Sequence, residues 1–347
     1  MPKRHLEAHT TEARAKMRKQ LGTLRQLTVQ PTTRKRYDQA LSDFFKFLKT
    51  IRRSIPSSAH ELDLLVSDFL EQLWAEGQGR SAGSNVLAAL QDSQPHLKGK
   101  LLQSWRLMKT WVVHEVPNRA PPLPLEHLEA MVGYNLFKQR PLFALSLLVG
   151  YFGLLRTGEI LSLTAGQVSV ENPKGPAVIS LGLTKAGKRQ GAAESVTIHV
   201  EDVCRRLHQW KMYATNHTKL ATSNYQWRKI FNDTLRALEF DSVDFRPYSL
   251  RRGGSTHFFT RQGSFDKLMV LGRWQAVKTA RIYVNEGVAV LAELNLKLTP
   301  LAKTVRQQYL RSFIQSLPKL SPAPKRCRPG GRGKAPQKRS KSSTRMR

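Results

Sequence analysis

Tyr248-Ser249-Leu250-Arg251-Arg252-Gly253, then Leu271-Gly272-Arg273-Trp274, then Ala280-Arg281-Ile282-Tyr283: these three short runs decide how the chain is read. Upstream, Leu154-Leu155-Arg156-Thr157-Gly158-Glu159 supplies a fourth. Together they present two guanidiniums, an indole donor and a phenol in a fixed order, with Tyr283 nine positions after Trp274. A phosphodiester resists attack because its charge repels the nucleophile and because further charge builds on its non-bridging oxygens. A guanidinium answers this: its planar fork takes two phosphate oxygens at once and stays protonated. Arg156 and Arg251, on separate segments, are therefore expected to clamp the transition state. Tyr283 is the expected nucleophile, and a free phenol, with a pKa of about 10, needs its charged form favoured before it attacks near neutral pH. The leaving oxygen needs a proton, and Lys185 or Lys188 on a polar hairpin is expected to deliver it.

Bulk composition agrees with a polyanion partner. The chain has 347 residues, 40% hydrophobic and 24% charged, enough for two ordinary domains with their own cores. Its net charge is +32, from 57 Lys and Arg against 25 Asp and Glu. Ten of those bases lie between Lys325 and Arg347 with no acid among them, which leaves +22 for the remainder. The part expected to fold is therefore basic in its own right, as nucleic-acid-binding domains are. Cys204 and Cys327 are too few and too far apart for a disulfide framework or a thiolate metal site. The longest apolar stretch, Leu142 to Leu155, is too short to span a bilayer, and residues 1–29 lack the apolar centre of a secretory signal. The expectation is a soluble, intracellular, reduced protein that is not secreted and has no membrane partner.

Periodicity divides the chain. Residues 1–29 read as a basic, irregular, flexible N-terminus. From 30 to 115 helical spacings recur. The first helix is expected to be capped by Thr32 or Thr33, with Tyr37, Leu41, Phe44, Phe45 and Leu48 on one face. Further helices are expected over Leu65 to Trp74, Ser84 to Leu90 and Leu101 to Val113. Four prolines between Val116 and Pro124 make 116–124 a semi-rigid linker. Residues 125–300 form the second domain, with two β-type runs, Ala177 to Leu181 and Ser195 to Val200, as a hairpin around a Gly-rich basic tip. Val288 to Leu298 reads as a short helix. Residues 301–347 are an extension whose basic tail is expected to be disordered and suits nuclear import or phosphate contact.

The order of Arg156, hairpin lysine, Tyr248-x-x-Arg251, Trp274 and Tyr283 resembles the tyrosine recombinase (phage integrase) family, over roughly residues 30 to 300. The resemblance implies a mainly α chain with a small antiparallel sheet (α+β): an N-terminal helical core-binding bundle and a catalytic domain, closing as a C-shaped clamp on duplex DNA. It implies a first arginine with an acid three residues on (Arg156, Glu159), a second closing a His-x-x-Arg motif (Arg251), and Trp274 and Tyr283 nine apart. It favours Lys185, after Thr184, over Lys188. It implies strand transfer through a 3′-phosphotyrosyl link without metal, ATP or other cofactor, by a homo-tetramer on two duplexes. Gly272-Arg273-Trp274 is closest in flavour to eukaryotic mobile-element members, which implies a nuclear location if the source is eukaryotic and a cytoplasmic, nucleoid-associated one otherwise. Tyr248 departs from the usual His. A phenol donates a hydrogen bond to phosphate but is a poor proton acceptor near neutral pH.

Other residues carry blander readings. His127 and His257 sit in apolar surroundings with no partner at metal-ligand spacing. Glu126 and Glu129 are first-turn helix acids. Arg273 and Lys278 are either DNA-backbone contacts or solvated positions. Two further functions stay open: a recombinase-derived DNA-binding protein without catalysis, to which Tyr248 points, and a type IB topoisomerase.

Overall fold

The computed structural model describes residues 10–116, 118–182, 184, 193–284, 287, 288, 290, 291 and 296–315. The chain divides into two compact units, Met1–Arg119 and Ala120–Arg347.

The first unit is helical. Helix α1 (Thr11–Leu21) starts where the Thr10 hydroxyl accepts from the Ala13 N–H at 3.2 Å. This corrects the reading of 1–29 as irregular. Ala, Met, Leu, Lys and Arg are strong helix formers and Thr10 is a good cap, yet no residue of α1 is buried, so no apolar stripe announced it. Helices α2 (Pro31–Thr50), α3 (Ala59–Ala75), α4 (Arg80–Ser93) and α5 (Leu102–His114) follow. α2 begins at Pro31 rather than behind a Thr cap, because proline lacks the N–H that a first-turn residue would leave unpaired. On α2, Phe44, Phe47 and Leu48 are buried while Phe45 is 45% exposed. Each residue advances about 100°, so Phe47 rejoins the stripe of Phe44 and Phe45 leaves it. The core closes with Leu62, Val66, Phe69, Leu70, Val86, Leu87 and Leu90. Each such side chain contributes about 1.5–3 kcal/mol on burial. The start of α5 has no local cap; buried Asp63 of α3 instead accepts from Gln103 N, Ser104 N and Ser104 Oγ at 2.8, 3.0 and 2.6 Å.

The second unit runs α6 (Leu125–Phe137), α7 (Pro141–Phe152), α8 (Thr157–Ser162), β1 (Val168–Ser169), β2 (Ala177–Gly182), β3 (Glu194–Ile198), α9 (Glu201–Tyr213), α10 (Asn224–Ala237), α11 (Pro247–Gln262), α12 (Phe265–Gly272), α13 (Val277–Arg281) and α14 (Pro300–Gln315). The strands form one antiparallel sheet in the order β1-β2-β3. Ala177 pairs with Ile198 and Ile179 with Val196, which sends Val168, Ala177, Ile179, Val196 and Ile198 to one buried face. The two-residue β1 was too short to be read from the sequence. The mainly helical architecture with a small antiparallel sheet is the expected α+β class.

Two boundaries differ from the sequence reading. From Ala120 onward the Pro-rich segment is strapped onto α11: the Leu123 N–H donates to Ser249 O at 3.1 Å, and Arg252 Nη1 donates to Ala120 O at 2.7 Å. A Cβ at Gly253 would stand 2.0 Å from the Leu123 carbonyl oxygen, so only glycine permits this approach. At the other end, α14 lies beyond the expected limit at 300 yet packs against α6. Ala302, Val305 and Tyr309 are buried, the Tyr309 hydroxyl donates to Asp202 at 2.7 Å, and Arg306 pairs with Glu129 at 2.7 Å. The segment Val288 to Leu298 falls only partly within the described residues. Its Leu296 is buried, and His127 Nε2 donates to the Leu296 carbonyl at 2.9 Å.

The α6–α14 contact is tight enough to test. A Cβ at Gly133 would lie 2.2 Å from the Val305 carbonyl oxygen. Gly133→Ala is expected to lower unfolding free energy by about 2–3 kcal/mol, the usual cost of overpacking, as measured by urea denaturation of the full chain.

Candidate active site

The site grows from α11. Arg246 precedes it, Pro247 opens it, and the 3.6-residue repeat puts Tyr248 and Arg251 on one face. Ser249, Gly253, Gly254, Ser255 and Thr256 keep the helix thin, so every residue from Ser249 to Thr256 is buried, while Tyr248 stays exposed. At Gly254 a Cβ would fall 2.0 Å from the Tyr151 carbonyl oxygen. Arg251 is thereby drawn inside the unit and is 0% exposed. Its Nη1 donates to Leu154 O at 2.5 Å and its Nη2 to Gly272 O at 2.6 Å. Both acceptors follow or end a helix, where carbonyls lack intrahelical partners and carry partial negative charge. The Arg251 Nε is buried with no acceptor among the described residues. Burial first, then the neighbouring Arg156 and Arg273 charges, pull the Arg251 guanidinium down to about 10.

Arg156 stands at the start of α8. The Glu159 carboxylate accepts from the Arg156 backbone N–H at 2.8 Å and from its Nη1 at 2.6 Å. Arg273 reaches the same carboxylate from the end of α12, Nη2 to Oε2 at 2.9 Å, and also donates to Leu154 O at 3.2 Å. One carboxylate thus serves two guanidiniums and a backbone N–H. Burial pushes the Glu159 carboxyl up, but Arg273 and Arg156 outweigh it and hold it below the usual carboxylate value. The Arg273 side chain is 5% exposed, which overturns both sequence readings of it as a DNA-backbone contact or a solvated position. The reason is conformational: Arg273 adopts φ 56°, the left-handed region, and that turn sends its side chain inward. A positive φ at a non-glycine residue leaves no mark in sequence.

The same turn lays Trp274 back over Gly272, where a Cβ would come within 1.9 Å of the indole. The Trp274 ring stacks 4.8 Å from the Arg251 guanidinium carbon and 4.5 Å from the Tyr283 ring. Its Nε1 is buried without a partner among the described residues, an unused donor beside the cations. Tyr283 follows α13, its carbonyl accepting from the Thr256 hydroxyl at 3.3 Å. Its ring lies 5.3 Å from the Arg251 guanidinium carbon, covering it. The Tyr248 hydroxyl donates a short hydrogen bond to the Tyr283 hydroxyl, their rings 5.6 Å apart. Burial, then that bond, pushes the Tyr248 phenol far above its ordinary value.

Arg156, Tyr248, Arg251, Trp274 and Tyr283 therefore meet in one cluster, with Arg273 and Glu159 joined to them. Lys185 and Lys188 lie outside the described residues. His127, 2% exposed, is a packed core residue against Phe240, and His257 stacks near Tyr151 and Phe152. Glu126 and Glu129 both pair with Arg306, a role beyond first-turn acids. Elsewhere in the second unit, a cavity of about 1030 Å³ is lined by apolar residues including Leu128, Phe152, Phe258 and Val270 and by none of the five clustered residues. Among the described residues, no helix is long and apolar enough to cross a membrane.

No protein-family model matches the sequence, and no curated protein does. Solved structures do. The chain is similar to the XerH site-specific recombinase bound to difH substrate in a pre-cleavage complex: 14% identity, TM-score 0.50, covering 76% of this chain and 79% of that one. It is also similar to the Tn1549 transposon integrase in complex with transposon right end DNA: 12% identity, TM-score 0.51, covering 81% and 96%. The fold is that of the tyrosine recombinases and integrases.

The charge balance at Glu159 makes a pH-dependent prediction. A carboxyl held low in the folded state stabilises fully above its unfolded value of about 4.3 and loses that contribution as pH falls through the folded value. Glu159→Gln is expected to cost about 3 kcal/mol at pH 7, since it leaves the buried Arg273 guanidinium without its counter-charge. The gap between variant and wild type in denaturant melts should narrow steadily below the unfolded carboxylate value.

Proposed function

We propose that the chain is a DNA strand transferase, a tyrosine-type site-specific recombinase that cuts and rejoins duplex DNA through a 3′-phosphotyrosyl link to Tyr283. The observation that carries this reading is the meeting of Tyr283 with Arg156, Arg251, Trp274 and Tyr248 in one cluster. The basic charge and the fold support it. In the first step the Tyr283 oxygen bonds to phosphorus and the bond to the 5′ oxygen breaks. Arg156 and Arg251 hold the non-bridging oxygens, and the Trp274 Nε1 donates to one of them. Because the Tyr283 ring covers Arg251, it swings off that guanidinium as the phosphate enters. Tyr248 stays protonated and donates to the nucleophilic oxygen, so it steadies the phenolate rather than taking its proton, which leaves to solvent. Lys185 or Lys188 protonates the departing 5′ oxygen. A 5′ hydroxyl of a partner duplex then attacks the phosphotyrosyl link and displaces Tyr283. The ester is exchanged rather than hydrolysed, so the chemistry runs without metal, ATP or other cofactor. Domains at 30–115 and 125–300 acting as core-binding and catalytic parts, a homo-tetramer on two duplexes, a mobile-element origin, and a location that is nuclear in a eukaryotic source and with the nucleoid otherwise complete the reading.

One observation favours a second reading, a DNA-binding protein that no longer cuts: Tyr248 stands where a proton acceptor is usual. The two separate cleanly. The full chain is incubated with a pool of randomised, nicked duplexes, and SDS-resistant protein–DNA adducts are isolated and sequenced. The wild type is expected to form them and Tyr283→Phe to form none, while both bind the pool with the same steep salt dependence. Binding without any adduct from the wild type selects the second reading.

The Tyr248 role has its own test. Tyr248→Phe is expected to slow adduct formation by about 10–100-fold without abolishing it. Tyr248→His supplies a proton acceptor with a pKa near 6.5, so its rate should plateau above roughly that pH, while the wild-type rate keeps rising.

A further inference from the structure

Two residues of the site have left-handed backbones without being glycine: Leu154 at φ 47° and Arg273 at φ 56°. Such conformations are costly for side chains with a Cβ and persist where the surroundings over-determine them. Here they share one node. The Leu154 carbonyl accepts from Arg251 Nη1 at 2.5 Å and from Arg273 Nη2 at 3.2 Å. The Glu159 carboxylate accepts from Arg156 at 2.6 and 2.8 Å and from Arg273 at 2.9 Å. Arg273 therefore bonds to an acceptor of each phosphate-clamp arginine and ties the start of α8 to the core of α11. Glycine would make the same turn without strain, and the buried guanidinium has Nε and Nη1 with no partner among the described residues. A residue that is strained, charged, buried and incompletely paired is a poor choice for stability alone.

We infer that Arg273 is a positioning residue for strand cleavage: by gripping Glu159 and the Leu154 carbonyl together it sets the spacing and tilt of Arg156 and Arg251. It touches neither phosphate nor nucleophile. This assignment rests on the strand-transfer reading. Its chemical content is preorganisation. Two guanidiniums fixed in advance lose nothing to reorientation when charge builds on the phosphorane, whereas two that wander must be ordered first.

Arg273→Gly is the decisive variant, since glycine keeps the left-handed turn that places Trp274 while the side chain, and with it the guanidinium, is removed. In the full chain, its melting temperature is expected to stay within roughly 4 °C of the wild type. Affinity for the nicked randomised pool should change less than about threefold, while the single-turnover rate of adduct formation falls about 100-fold. Arg273→Lys, which keeps the charge, should recover about tenfold of that loss, and millimolar guanidinium chloride, far below denaturing levels, should partly rescue Arg273→Gly. Wild-type adducts with an Arg273→Gly rate equal to wild type overturn the inference and leave the strand-transfer reading intact. So does a large fall in melting temperature with normal cleavage by the folded fraction. If the wild type forms no adduct, the strand-transfer reading fails, and orthovanadate titration without DNA decides the positioning role. About tenfold weaker vanadate binding by Arg273→Gly upholds it. Equal binding, or none by either protein, overturns it.

Discussion

Burying a guanidinium is the constraint around which the second unit is arranged. Arg251 has no contact with solvent, and a buried cation is tolerated only when its donors find acceptors. The carbonyls of Leu154 and Gly272 supply them, and they come from segments far apart in the chain. Satisfying one side chain thus ties the turn after α7 and the end of α12 to the body of α11. The rings of Trp274 and Tyr283 then close over the guanidinium face, where attraction between cation and aromatic ring is strongest when water is excluded.

Small residues make that arrangement possible. Gly253 and Gly254 let α11 lie against the Leu123 and Tyr151 backbones, and Gly272 leaves room for an indole. These positions are geometric rather than chemical, yet each fixes a group that is chemical. Without Gly254 the helix would stand off from α7, and Arg251 would be carried away from Leu154. The electrostatics follow from the same compactness. Arg156 and Arg273 share Glu159 with Arg251 close by, so the site carries surplus positive charge that suits an incoming anion and that, after burial, depresses Arg251.

Much of this was legible in residue order. Helical spacing placed α2 through α5, since buried residues recur there with the period of the helix. The alternation in Ala177 to Leu181 and Ser195 to Val200 marked β2 and β3. The spacing of Arg156, Arg251, Trp274 and Tyr283 identified residues that the fold gathers. What stayed hidden has physical reasons. α1 buries nothing, so it has no stripe to read. α14 contacts the core through Ala302, Val305 and Tyr309, too sparse a pattern among lysines and arginines to stand out. The Leu154 carbonyl is backbone, which every residue possesses. Arg273 looked like any surface arginine because its inward course depends on a dihedral sign. The contact between Tyr248 and Tyr283 spans 35 positions and arises only once the segment after α13 comes back against α11.

The ring lying over Arg251 has a thermodynamic consequence. An anion approaching that guanidinium competes with an intramolecular occupant, so its apparent affinity is the intrinsic one multiplied by the fraction of molecules whose ring has vacated. Substitutions that loosen the aromatic lid would tighten oxyanion binding without adding a single contact to the ligand. Those that strengthen it would act as competitive inhibitors encoded in the chain.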